Sequence, residues 1–238
     1  MIRFPQLESL GVAVAAFSEK SDGNCGLRGV SNAAGVLASR RAVCRACGAD
    51  EGRLVCAQQV HSPNVAWVTA DNAGAGATVW ETGLDATDGL LTQELGLPLG
   101  ILVADCVPLY IVDPRRRVAG LAHAGREGTR ADIAGRAVAE LVLTAGANPD
   151  DLVALIGPSA GPCCYEVSPE IAAGFAEAGL PVRGRRLDLW EANVQQLADA
   201  GVPRNQIAVV GACTICDGRF YSYRAGDTTE RNLAVLML

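Results

Sequence analysis

The chain has 238 residues, 50% of them hydrophobic and 19% charged, with a formal net charge of −6. That apolar fraction suffices for a sizeable core, and the acidic balance excludes a general nucleic-acid binder, which carries a basic footprint. No apolar run approaches the roughly 20 residues of a transmembrane helix, so no membrane partner is expected.

The first apolar run, LGVAVAAF, follows Pro5 and Glu8, where a signal peptide would carry basic residues, and reads as a strand. Strands are predicted at 12–17, 54–60, 65–69, 99–104, 108–112, 118–123, 152–156, 207–211, 219–223 and 233–238. A helix over 33–47 stops at Gly48. A second follows Thr129, which makes a capping pair with Asp132, and ends at Gly146. Two more cover 169–178, capped by Ser168 and Pro169, and 189–200, where Asp188 and Glu191 resemble a capping box.

This alternation predicts an α/β class. The close succession 99–104, 108–112, 118–123 leaves no room for helical crossovers. Those strands must pair antiparallel or fold back between two sheets, so the sheets are mixed. With neither linker nor repeat, the whole of 1–238 reads as one domain. An odd count of nine cysteines in a long, core-rich chain points to reduced thiols in a cytoplasmic protein.

The chain has only two histidines. His61 ends the run before Ser62-Pro63, His123 ends VAGLAH, and Cys106 lies just past LGILVA. All three fall at strand ends, where side chains can converge on a loop-lined site; singly, each reads as a capping or core residue. Convergence leaves two chemistries open. Two imidazoles and a thiolate bind Zn²⁺ and leave a fourth position for water, as catalytic sites do. Alternatively, Cys106 is a nucleophile and His123 lowers its pKa and shuttles protons.

Other motifs carry less. The pairs Cys44-Arg-Ala-Cys47 and Cys213-Thr-Ile-Cys216 are far apart in sequence, and neither a zinc ribbon nor a redox motif is favoured. Cys163 and Cys164 read as packing, since neighbours in an extended segment point to opposite sides. GPSAGP at 157–162 reads as a tight turn. AHAGREGT runs from a strand end into a helix start, where amides favour an anion; Arg126 lies there and Glu127 opposes it. Arg224 is a further candidate cation, Arg231 reads as surface charge, and Trp80 and Trp190 as packing residues.

QQVHSPNV at 58–65, TDGLLTQELGLPLGILVADCVPLYIVDP at 87–114, GLAHAG at 120–125, IGPSAGPCCYEV at 156–167, and CT with FYSYR at 213–224 span most of the chain. Together they resemble the YfiH family, also called the laccase-domain, polyphenol-oxidase-like or peptidoglycan editing factor family. The resemblance implies a four-layer α/β/β/α sandwich with mixed sheets, a cysteine-hydrolase-like fold. It implies that His61, Cys106 and His123 bind zinc, with copper also proposed. It further implies phosphorolysis of purine nucleosides, methylthioadenosine included, and deamination of adenosine by metal-activated water at C6, with purine nucleosides and phosphate as partners. Arg126 and Arg224 would then meet phosphate.

The chain departs from the family pattern in Arg126-Glu127, where Trp-Arg is usual, and in Thr229-Glu230-Arg231, where Thr-Gly-Arg is usual. SDGNCGLRG stands in place of a Gly-Gly-Val-Ser loop. Three other readings compete: a cysteine amide hydrolase acting on a cell-wall precursor through Cys106 and His123, a laccase-type copper oxidase, and a non-catalytic zinc protein. Two histidines are too few for a multicopper centre.

Overall fold

The computed structural model describes residues 1–31 and 33–238. Two mixed sheets form its centre. The five-stranded sheet runs, edge to edge, Ile2–Arg3, Val14–Phe17, Asn232–Met237, Leu99–Val103, Val55–Cys56. The six-stranded sheet runs Ile207–Val209, Val153–Ile156, Val107–Asp113, Val118–Ala124, Gly89–Thr92, Val65–Trp67. Each sheet combines antiparallel pairs with parallel ones.

The fold-back expected from the short connections is present: Leu99–Val103 lies in one sheet and the next strand, Val107–Asp113, in the other. Strands buried on both faces read as continuous apolar runs, and Val107–Asp113 and Val118–Ala124 are buried throughout. One apolar core lies between the sheets, with Phe17, Ile101, Leu121 and Leu155. Tyr110 crosses it and donates its hydroxyl to the Ala16 carbonyl at 2.7 Å, which satisfies a polar atom that would otherwise be costly to bury. Ile133–Ala145 and Leu189–Asp199 pack on the outer side of the six-stranded sheet. Ala33–Cys47 packs against residues of the five-stranded sheet through Val43, Cys44 and Cys47.

The helix expectations hold with small changes. Ser168 and Asp188 cap Pro169–Glu177 and Leu189–Asp199 by accepting from the amides of Ile171 and Glu191. The cap of Ile133–Ala145 is Asp132, in the left-handed region at φ 60°; Thr129 belongs instead to a separate turn of helix, Arg126–Arg130. The short strand Gly89–Thr92 and the helix Pro5–Glu8 have no counterpart among the predicted elements.

Two predicted strands are corrected. Residues 219–223 form no strand, because the Asn232 side chain takes the place of a neighbouring strand: it accepts from the Tyr221 amide at 3.0 Å and donates to the Tyr221 carbonyl at 2.9 Å. The run 54–60 is ladder-paired only at Val55–Cys56: Ala57 makes an isolated bridge with Leu84, and the amides of Val60, His61 and Ser62 turn to a buried carboxylate. Among the described residues, no helix is long and apolar enough to cross a membrane.

Candidate metal centre

His123 sits on Val118–Ala124, and the sheet register supplies a partner on each side. Across one edge it pairs with Pro108, which places Cys106 just beyond the start of the neighbouring strand. Across the other, Ala122 pairs with Gly89, so Asp88 lies beside His123, whose amide donates to the Asp88 carbonyl at 2.7 Å.

Cys106 is held by the elbow between the two sheets. Asp105 there adopts φ 83°, a left-handed conformation unusual for a non-glycine residue. Its buried carboxylate offsets that strain by accepting from Thr214 Oγ1 at 2.7 Å and from the Arg224 amide at 2.8 Å. The elbow's carbonyl accepts from the Ala160 amide at 2.8 Å. His61 is also left-handed, at φ 64°. Its loop is pinned by Asp88, whose carboxylate accepts from the amides of Val60, His61 and Ser62 at 3.1, 2.9 and 2.7 Å and from Ser62 Oγ at 2.8 Å.

The fifth bond of Asp88 comes from His123 Nδ1, 2.8 Å from Oδ1. Burial pushes the Asp88 carboxyl up, but the His123 imidazole and Ser62 hold it down, at about 2. As an ionised acceptor it requires the proton on Nδ1, which makes Nε2 of His123 the nitrogen that can ligate a metal once it gives up its own proton. Asp88 is fully buried and is not among the candidate residues the sequence pattern points to. The available signal was an aspartate heading the apolar run GLL, the context of a carboxylate anchored at the mouth of a buried strand.

The outcome is convergence: donor atoms of His61, Cys106 and His123 all lie within 4.8 Å of one another. The two imidazole centroids are 4.8 Å apart and steeply inclined, at 65°. Burial pushes the Cys106 thiol up, but His123 and His61 bring it down to about 6. Burial pushes His123 down, while Cys106 and Asp88 raise it to about 9. Gly125 makes room for the group: a Cβ there would lie 2.8 Å from Cys106 Sγ and 3.0 Å from His61 Cδ2. The donor set of two imidazoles and one acidic thiol fits a borderline-soft divalent metal, with one ligand oriented by a carboxylate. Among the described residues no fourth His, Cys, Asp or Glu joins this group.

The trio lines a cavity of about 800 Å³, together with Arg126, Glu127, Tyr165 and Arg224. Both predicted cations therefore share the cavity. Arg126 pairs with Glu127 at 2.9 Å. The Arg224 guanidinium lies 4.8 Å from the Tyr165 ring centroid and donates to the Glu166 carbonyl at 2.7 Å. Trp80 also lines the cavity, with Arg28 over its ring. Trp190 is a packing residue, donating Nε1 to Ser159 Oγ. Arg231, read as surface charge, also lines the cavity and spends donors on the carbonyls of Thr228 and Glu230.

Fold and site together define a mixed α/β protein with an open, two-histidine, one-cysteine centre at a ligand-sized cavity. The chain belongs to the family described as multi-copper polyphenol oxidoreductase laccase, whose model matches residues 8–238. It is 38% identical over 225 residues to the purine nucleoside phosphorylase YlmD of Geobacillus stearothermophilus, covering 90% of this chain and 82% of that one. It is 33% identical over 200 residues to the adenosine deaminase RL5 of an unknown prokaryotic organism, covering 79% and 76%. The crystal structure of the hypothetical protein YfiH of Bacillus licheniformis has the same fold, with TM-score 0.88, 34% identity, and coverage of 94% and 92%. The family description speaks of several coppers, yet both histidines of this chain are consumed in one three-donor group.

Proposed function

We propose that the chain, as one domain over 1–238, is a zinc-dependent purine nucleoside phosphorylase that also phosphorolyses methylthioadenosine and deaminates adenosine, acting in the cytoplasm. The observation carrying this reading is the convergence of His61, Cys106 and His123 beside two arginines in a cavity large enough for a nucleoside. Relatives named purine nucleoside phosphorylase and adenosine deaminase support it.

His61, Cys106 and His123 would hold the metal. A zinc ion there supplies Lewis acidity and lowers the pKa of water. Asp88 keeps the Nδ1 proton of His123 in place and so keeps Nε2 aimed inward. Arg224, preset by Tyr165 and Glu166, offers its remaining donors to phosphate, and Arg126 adds charge that Glu127 partly offsets. The test is a nucleoside panel assayed with and without phosphate, in metal-free protein and after adding zinc or copper. Adenosine turnover and phosphorolysis should both require metal; full turnover by metal-free protein would overturn the reading.

One observation favours a second reading. Cys106, His123 and Asp88 form a Cys–His–Asp chain with a depressed thiol, as an amide hydrolase acting on a cell-wall precursor would need. In that case a chelator leaves activity intact and alkylation of Cys106 abolishes it.

A further inference from the structure

Next in sequence to the cavity residue Tyr165 lies a second cluster that the mechanism does not use. Cys163, Cys164, Cys213 and Cys216 place their sulfurs all within 4.8 Å of one another. The expectation that Cys163 and Cys164 diverge fails because residues 162–164 form a turn, not an extended segment, with the amides of Cys164 and Tyr165 both donating to the Gly161 carbonyl at 3.0 Å. Distance in sequence from Cys213 and Cys216 is overcome by a β-bridge between Ser159 and Cys213, reinforced by the Thr214 amide on the Ser159 carbonyl at 3.0 Å. The other CxxC pair stays apart from them: Cys44 and Cys47 are buried in the helix face packed on the five-stranded sheet.

The geometry points to a second metal site, in which Cys163, Cys164, Cys213 and Cys216 bind one structural Zn²⁺ as four thiolates. Zn–S bonds of about 2.3 Å in a tetrahedron separate the sulfurs by about 3.8 Å. Cys163 Sγ and Cys216 Sγ are already 4.0 Å apart, and all four cysteines are unbonded thiols. The pairing of a CxxC turn with a second cysteine pair is a closed, fully protein-ligated zinc arrangement. The Gly161 amide donates to Cys213 Sγ at 3.2 Å, the kind of N–H···S bond that stabilises a ligating thiolate from outside the coordination shell. Gly161 is also where Trp190 closes over the cluster: a Cβ there would meet the Trp190 ring at 2.7 Å and Cys213 Cβ at 3.1 Å. Binding releases the thiol protons to solvent and changes no oxidation state.

The site joins the loop that carries the cavity residue Tyr165 to the loop that braces the cavity residue Asp105. Cys164 directly precedes Tyr165, on which Arg224 rests, and Cys213 directly precedes Thr214, which holds the Asp105 elbow. A metal here fastens the wall of the first centre without entering it.

The test is metal stoichiometry and Co²⁺ spectroscopy on the full-length chain, stripped and refilled under reductant. Wild type should bind two equivalents of Zn²⁺ or Co²⁺. His61→Ala should retain one, with the intense visible bands and sulfur-to-metal charge transfer of tetrahedral four-thiolate Co²⁺. Cys163→Ser with Cys216→Ser should lose that signature and one equivalent. Both altered cysteines are exposed, so folding should survive, and circular dichroism checks this. Thiol counting on the wild type is independent of any variant: Zn²⁺ should protect all four of these sulfurs from alkylation. Unchanged stoichiometry and spectrum in the double variant would overturn the inference. So would a disulfide between these cysteines in protein purified with zinc present.

Discussion

Asp88 Oδ1 lies 2.8 Å from His123 Nδ1 while the same carboxylate gathers the amides of Val60, His61 and Ser62. One buried side chain thus sets the tautomer of one histidine and the backbone of the other. Asp88→Asn should weaken zinc at the first centre by about 10- to 100-fold, the usual cost of losing a carboxylate behind a ligating histidine. Competition with a chromophoric chelator measures it.

The same carboxylate predicts a pH dependence of stability. Its folded pKa, about 2, lies below the ordinary aspartate value of 3.8. A depressed carboxyl stabilises fully above its unfolded pKa and loses that contribution as pH falls through the folded one. The advantage of wild type over Asp88→Asn in metal-free urea denaturation should therefore be about 2 kcal/mol larger at pH 5 than below pH 2. An advantage that does not change with pH would contradict it.

Cys106 should show its thiolate early. With its thiol held down at about 6 by the histidines, iodoacetamide should alkylate it in metal-free protein with a half-maximal rate near pH 6, slowing as pH falls below that. Zinc should block the reaction, since the thiolate is then a ligand. Mass spectrometry of the Cys106 peptide reads both.

Gly125→Ala tests the close approach at the centre. The added methyl would sit 2.8 Å from Cys106 Sγ and 3.0 Å from His61 Cδ2, displacing two of the three converging donor side chains at once. Overpacking of this kind costs about 1–3 kcal/mol. Both activities should fall at least tenfold, with lower metal content by elemental analysis.

Arg224→Gln should separate the two reactions. Loss of a charge-assisted contact worth about 1.5–3 kcal/mol should raise KM for phosphate by about 10-fold or more. Adenosine deamination, which consumes no phosphate, should change little. Equal loss of both would assign Arg224 to the nucleoside or to the wall instead.

The apolar periodicities located the main strands and helices, because burial on one or both faces writes itself into residue order. The positions of Cys106 and His123 beside strands were equally visible, while His61 proved to sit in a loop past the short strand Val55–Cys56; the spacing of 99–123 already demanded antiparallel pairing or a fold-back between sheets, and both occur. Resemblance supplied the grouping of these three residues. Several things depended on contacts between residues remote in the chain. Asp88 became the organiser of the site only because Gly89–Thr92 pairs beside Val118–Ala124. The segment 219–223 lost its strand to a side chain eleven residues later. Cys163, Cys164, Cys213 and Cys216 looked like packing residues and an isolated pair until the Ser159–Cys213 bridge joined their loops. Local sequence determines which faces are apolar and where strands end; which strand ends meet is decided by sheet order and register, and these depend on the packing of the whole core.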